Sequence, residues 1–200
     1  MNRRDLLKLS LGIGAFLMAP FTRSNASPFL GKPTSRIRLV TYGCPSQALS
    51  GAIATATQRN IELDWYQIPD NGYSAIEMRR VAYSPLLDAN IILAEAGATD
   101  ADSWVPWLAD RFSNSGTTTV VGLLMPMPFM GAARESKAQE MRAMLGSLPN
   151  PLHITIIDAS MFPYEDGMTL AQVYDGAYTR LLEKSLAAAD SGCKCSAFGT

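Results

Sequence analysis

TTTVVGLLMPMPFMGAARESKAQEMRAMLGSL, residues 117–148, changes period halfway along. Residues 117–125 are a β-branched run, and 120–124 are apolar on consecutive positions, as in a strand covered on both faces. Residues 132–148 then read as a helix bounded by Gly131 and Pro149. A buried strand feeding a helix through a short turn is half of a parallel crossover unit.

The rest of the chain repeats that unit. IRLVTY (37–42) reads as a buried strand, and 46–59 as a helix with Ser46 as its N-cap. IELDWYQI (61–68) alternates like a strand, 73–82 is a weaker helix, and ANIILAEA (89–96) is another buried strand. Residues 102–112 form a helix opened by acidic residues, HITIID (153–158) is the last strand, and 170–189 is a long terminal helix. Strands and helices taking turns predict an α/β fold: a three-layer αβα sandwich with a mostly parallel, Rossmann-like sheet and right-handed crossovers. Ligands in such sheets lie beyond the carboxyl ends of the strands. That rule collects 43–47, 97–102, 126–131 and 158–160 along one edge.

Two hundred residues, 48% apolar and 18% charged, suffice for one sizeable core and not for two ordinary domains. A formal charge of −1 provides no basic field, so no nucleic-acid partner is expected. Residues 1–26 stand apart: Arg3 and Arg4 precede Leu6, Leu7 and Lys8, an apolar stretch covers 9–21, and Ser24, Asn25 and Ala26 suit a signal peptidase. The apolar stretch is shorter than the ~20 residues of a membrane span. The paired arginines resemble a twin-arginine export signal, without the phenylalanine usual after Asp5. A general secretory signal and an ordinary basic, hydrophobic N-terminal helix are the alternatives. The resemblance implies a periplasmic or exported protein, or one anchored in the inner membrane where the segment stays uncleaved. Residues 27–35 then form a linker, 36–190 the α/β domain, and 191–200 a flexible tail carrying Cys193 and Cys195.

The segment 117–148 resembles the GTPase domain of the tubulin/FtsZ family. FtsZ proteins run a strand into a Lys-Pro-Phe-x-Phe-Glu-Gly-type turn and a basic helix. Here Pro126, Phe129 and Gly131 hold matching places, while Met125, Met127 and Met130 replace the lysine, phenylalanine and glutamate. Downstream, 154–160 resembles the strand ending in the family's Pro-Asn-Asp, and 171–186 its core helix. The order of elements from residue 37 to about 189 agrees, whereas alternation alone fits many Rossmann-like folds.

The resemblance implies GTP or GDP with Mg²⁺ as cofactor, bound by two glycine loops. The first loop matches Gly43, Cys44, Pro45, Ser46, Gln47 and Ala48. Pro45 removes a backbone donor, and Cys44 adds a side chain where phosphate approach needs none. The second loop falls on 96–102, where only Gly97 and Thr99 match. Asp100 and Asp102 put two carboxylates where a triphosphate would lie, opposing it unless a cation such as Mg²⁺ sits between them. At the base end, Asp158 takes the neighbourhood of the base-contacting asparagine, Tyr174 replaces the phenylalanine that stacks on guanine, and Tyr178 stands at an acidic reader's place. The family's second domain, which completes hydrolysis in the next subunit of a filament, has no counterpart in these residues. Neither a catalytic acid nor a tubulin-type filament is therefore expected, and free GTP is not expected outside the cytoplasmic membrane. The expectation is an exported domain with a degenerate GTP site at Gly43, Cys44, Ser46, Gln47, Gly97, Thr99, Asp158 and Tyr174, holding a small ligand or a protein partner. Its oligomeric state is left open.

Other chemistry has thinner support. His153, the only histidine, opens a strand and reads as structural. Ser46 and Ser160 lack a paired base, and no Gly-x-Ser-x-Gly elbow occurs. Cys44 follows a strand and nearly opens a helix, which suits either a reactive thiol or a small turn filler. Met125, Met127 and Met130, with Cys193 and Cys195 elsewhere, offer soft Cu(I) ligands, and the methionines suit core filling equally. Trp104 and Trp107, three apart on a helix, pack on the sheet or line the crevice, with a partner surface as the alternative. An enzyme using Asp100 and Asp102 to hold Mg²⁺, and a thiol or copper protein, are the competing functions.

Overall fold

The computed structural model describes residues 35–42, 54, 56, 58–68, 81–82, 87–98, 101–150, 152–161 and 167–196, with backbone alone at 101, 102, 161 and 192–196. Five strands carry it: β1 Ser35–Tyr42, β2 Ile61–Ile68, β3 Ala89–Glu95, β4 Thr118–Met125 and β5 His153–Asp158. Three helices are described in full length: α1 Ala101–Ser113, α2 Ala132–Gly146 and α3 Leu170–Ser196. β2 and β5 fall on the residues expected from sequence. The helical residues 54, 56, 58, 81 and 82 belong to the two segments expected between β1 and β3, most of which lie outside the described residues. α3 carries a helical backbone to Ser196, seven residues past the expected end and into the segment read from sequence as a flexible tail.

All four strand pairings are parallel, in the order β2-β1-β3-β4-β5. The chain steps one way from β1 to β2, then returns across β1 to β3 and continues outward. β1 and β3 are thus neighbours at the point where the winding reverses, and the crevice above their carboxyl ends is where such sheets accept ligands.

Consecutive apolar residues in β1, β3 and β4 are explained by the two layers they serve. Leu39, Ile91, Leu93, Val120 and Leu124 face α3 and pack with its Ala177, Tyr178, Leu181 and Leu186. Val40, Ile92, Val121 and Leu123 face α1 and α2 and pack with Val105, Leu108, Phe112 and Met141. Each fully buried side chain of this size contributes about 1.5–3 kcal/mol. α3 approaches the sheet closely because β4 carries Gly122 at the contact. A Cβ there would stand 2.8 Å from Ser185 Oγ and 3.2 Å from Leu181 Cγ.

One polar row interrupts the α1 side of the sheet. Arg38 on β1, only 3% exposed, lies in register between Asp64 and Asn90. Its Nη1 donates to Asn90 Oδ1 at 3.1 Å, and Asn90 Nδ2 donates to Thr117 Oγ1 at 2.6 Å. The guanidinium also sits 5.0 Å from the Phe112 ring centroid, a cation–π contact. Burial pushes the Arg38 pKa down, with Tyr66 and Asp64 opposing that shift.

Candidate functional site

Parallel pairing puts every strand's last residue on one edge. Across it stand Ile68, Tyr42, Glu95, Met125 and Asp158, in the order of the sheet. β3 ends at the winding reversal, so the geometry after it decides what the crevice offers. Ala96 N–H still donates to Leu124 O at 2.9 Å, and the chain then turns at Gly97, where φ is +73°. That conformation favours glycine. Space demands glycine too, since a Cβ on Gly97 would collide with the backbone carbonyl oxygen of Arg134. The first turn of α2 is therefore pressed against the end of β3.

This contact delivers the Arg134 side chain to Glu95. Its Nη2 lies 2.7 Å from Glu95 Oε1, with the side chains 32% and 15% exposed. From the other layer, the Tyr174 hydroxyl of α3 donates to the same Oε1 at 3.2 Å, with Met130 Sδ as a second acceptor at 3.1 Å. Three layers thus meet at one carboxylate. Burial, then the negative charge of Glu95 and the hydrogen bond to it, push the Tyr174 pKa up to about 12, against a smaller opposing effect of Arg134. The phenol is neutral, and the carboxylate is held by one cation and one hydroxyl.

Of the residues expected at the site, Gly97 and Tyr174 enter this cluster. Asp158 is on the same edge two strands away, and its Oδ1 accepts from the Ser160 N–H at 2.9 Å and the Ser160 hydroxyl at 2.6 Å, closing the short helical turn Ala159–Met161. Gly43, Cys44, Ser46, Gln47, Thr99 and Asp100 lie outside the described residues, as does the side chain of Asp102. Tyr178 is buried under α3 against the sheet rather than at the crevice. His153 is exposed at the start of β5, on the edge opposite the cluster.

The methionine turn does not gather its sulfurs. Met125, the last residue of β4, packs on the α1 side of the sheet, and Met127 packs on the α3 side. In a continued strand residues two apart would share a face, but the chain has left the pleat at Pro126 to enter the short turn Pro128–Met130. Only Met130 reaches the cluster. Among the described residues, no three histidine, cysteine, aspartate or glutamate side chains converge on a metal position, and no helix is long and apolar enough to cross a membrane. Trp104 and Trp107 meet edge to face, 5.9 Å apart at 84°, and Trp107 remains 40% exposed.

Sequence reasoning missed Glu95 and Arg134. The available signal was a carboxylate at the end of a strand that is apolar at every other position except Asn90, together with an arginine three residues after the turn glycine Gly131.

No family model and no curated protein sequence matches the chain. Solved structures do. CetZ from Methanosaeta thermophila superposes with a TM-score of 0.56 at 12% identity, covering 76% of this chain and 53% of that one. A GTPγS-bound CetZ2 protofilament from Haloferax volcanii gives 0.60 at 12% identity, covering 78% and 59%. An empty FtsZ dimer from M. jannaschii gives 0.58 at 15% identity, covering 97% and 60%. The architecture is the FtsZ/tubulin-like α/β fold. At these identities the likeness is one of fold, and the chain spans little more than half the length of these proteins. The expectation of a parallel three-layer sheet of this type holds.

Proposed function

We propose that this FtsZ/tubulin-like domain is exported and binds a small ligand or a partner segment at the carboxyl edge of its sheet, without efficient GTP turnover. The observation that carries the reading is Glu95, a carboxylate at the winding reversal whose ion pair, the only one it makes among the described residues, consumes Arg134. An incoming triphosphate finds no net positive charge there, because the cation that would receive it is already engaged. The sequence of the flanking loops supports the same reading. Pro45 withdraws an N–H, Cys44 adds bulk, and Asp100 and Asp102 bring further negative charge. Arg3 and Arg4 ahead of an apolar stretch support export by the twin-arginine route to the periplasm, with membrane attachment only through an uncleaved signal.

The test is calorimetric titration of the purified protein, freed of residues 1–26, with GTP and GDP in the presence and absence of Mg²⁺. Absence of micromolar affinity is the expected result, and micromolar GTP binding with hydrolysis overturns the reading. A second reading retains GTP or GDP with Mg²⁺ on Asp100 and Asp102. It is favoured by the likeness to a CetZ2 fold that holds GTPγS. Metal-dependent phosphate release that disappears in Asp100→Asn and Asp102→Asn distinguishes it.

A further inference from the structure

The Glu95–Arg134 contact uses its partners unequally. Both donors converge on Glu95 Oε1, Arg134 Nη2 at 2.7 Å and the Tyr174 hydroxyl at 3.2 Å. Glu95 therefore keeps a hydrogen bond whenever Arg134 leaves. Arg134 is less well served. Its Nε–H is buried and has no hydrogen-bond partner among the described residues. A guanidinium is a planar fork whose Nε–H and neighbouring Nη–H match the two oxygens of a carboxylate or phosphate group. Glu95 engages one arm of that fork and leaves the other unmet. The arrangement is not a chance meeting of surface side chains, because the Gly97 turn lies directly against the Arg134 backbone and fixes where the side chain starts.

We propose that Glu95 is the specificity-determining residue of the crevice: by holding Arg134 through a single arm it denies the guanidinium to phosphate-type anions, which bind only by displacing the carboxylate. The inference rests on the reading above that this edge is the ligand site, and it names the residue that keeps phosphate out. With the two charges cancelling, the native chain selects ligands that do not depend on a free cation. Removing the charge of Glu95 while keeping an oxygen for Tyr174 returns the whole fork of Arg134 to the crevice.

The experiment is isothermal titration calorimetry of inorganic pyrophosphate into the wild-type chain, Glu95→Gln and the double variant Glu95→Gln, Arg134→Gln. Glu95→Gln is expected to bind pyrophosphate at least about tenfold more tightly than wild type, as a freed bidentate site should. The double variant is expected to return to the wild-type value. Equal affinity in wild type and Glu95→Gln overturns the inference, as does a gain that survives loss of Arg134. Should circular dichroism show Glu95→Gln unfolded, Glu95→Asp, which withdraws the carboxylate by one methylene, must give a smaller gain in the same direction, and no gain overturns the inference. These outcomes are separable from those of the functional reading, which fails when the wild-type chain itself binds GTP with micromolar affinity and hydrolyses it.

Discussion

Two arginines, one at each end of the sheet, show how the same side chain serves different ends. Arg38 lies 3% exposed beneath α1, closed in by Asn90 and the Phe112 ring. Arg134 sits at the carboxyl edge with its side chain 32% exposed, tied by one arm to Glu95. The first is sealed, so its interactions act in a desolvated setting and its loss leaves a hole among buried groups. The second is partly in water, where an ion pair contributes little to stability and is free to be exchanged for a ligand. The comparison separates structural charge from charge available for recognition.

The largest effect belongs to the sealed end. Arg38→Ala is expected to lower stability by about 3 kcal/mol in urea denaturation, through the cavity, the lost cation–π contact and the stranded Asn90 carbonyl. Next comes the backbone of the open end. Gly97→Ala forces a side chain into a φ of +73° and against the Arg134 carbonyl, and a loss of about 2 kcal/mol is expected from the same measurement. Arg134→Ala removes a partly exposed pair, leaves Glu95 its bond from the Tyr174 hydroxyl, and is expected to cost less than about 1 kcal/mol. A cost for Arg134→Ala equal to that for Arg38→Ala would erase the distinction between the two ends.

The remaining prediction is a pH dependence that appears only in alkali. Tyr174 titrates in the folded chain at about 12, above the ordinary 10.0 of an unfolded tyrosine. Because the folded state binds its proton more tightly, this contribution is complete below pH 10 and is lost as pH rises from 10 to 12. Urea midpoints across that window should fall more steeply for wild type than for Tyr174→Phe, and parallel curves would remove the phenol from the cluster.

Much of the fold was legible in the sequence and little of the cluster was. IELDWYQI and HITIID declare themselves because β-branched and aromatic residues fit a pleated surface, and a buried parallel strand shows consecutive apolar positions. The fold type followed from their alternation with helices and from the turn around Pro126, Phe129 and Gly131. Glu95 and Tyr174 are separated by 79 residues, and only the closing of two layers onto one strand end brings them together. The neighbouring Gly97 was picked out as a phosphate-loop survivor, whereas its contact in the structure is with the carbonyl of Arg134. Arg38 was illegible for a related reason: its acceptor Asn90 comes from β3, 52 residues on, and is itself held by Thr117 in the loop before β4. The methionines Met125, Met127 and Met130 do not gather because the chain leaves the pleat after Met125, which puts Met127 on the opposite side of the sheet from Met125.

The central claim is that an edge closed by Glu95, Arg134 and Tyr174 does not run GTP chemistry. Phosphate release from GTP and Mg²⁺ by the purified chain, followed over many equivalents of substrate, addresses it most directly. The account predicts a rate equal to that of buffer alone, and sustained release abolished by Asp100→Asn or Asp102→Asn would contradict it.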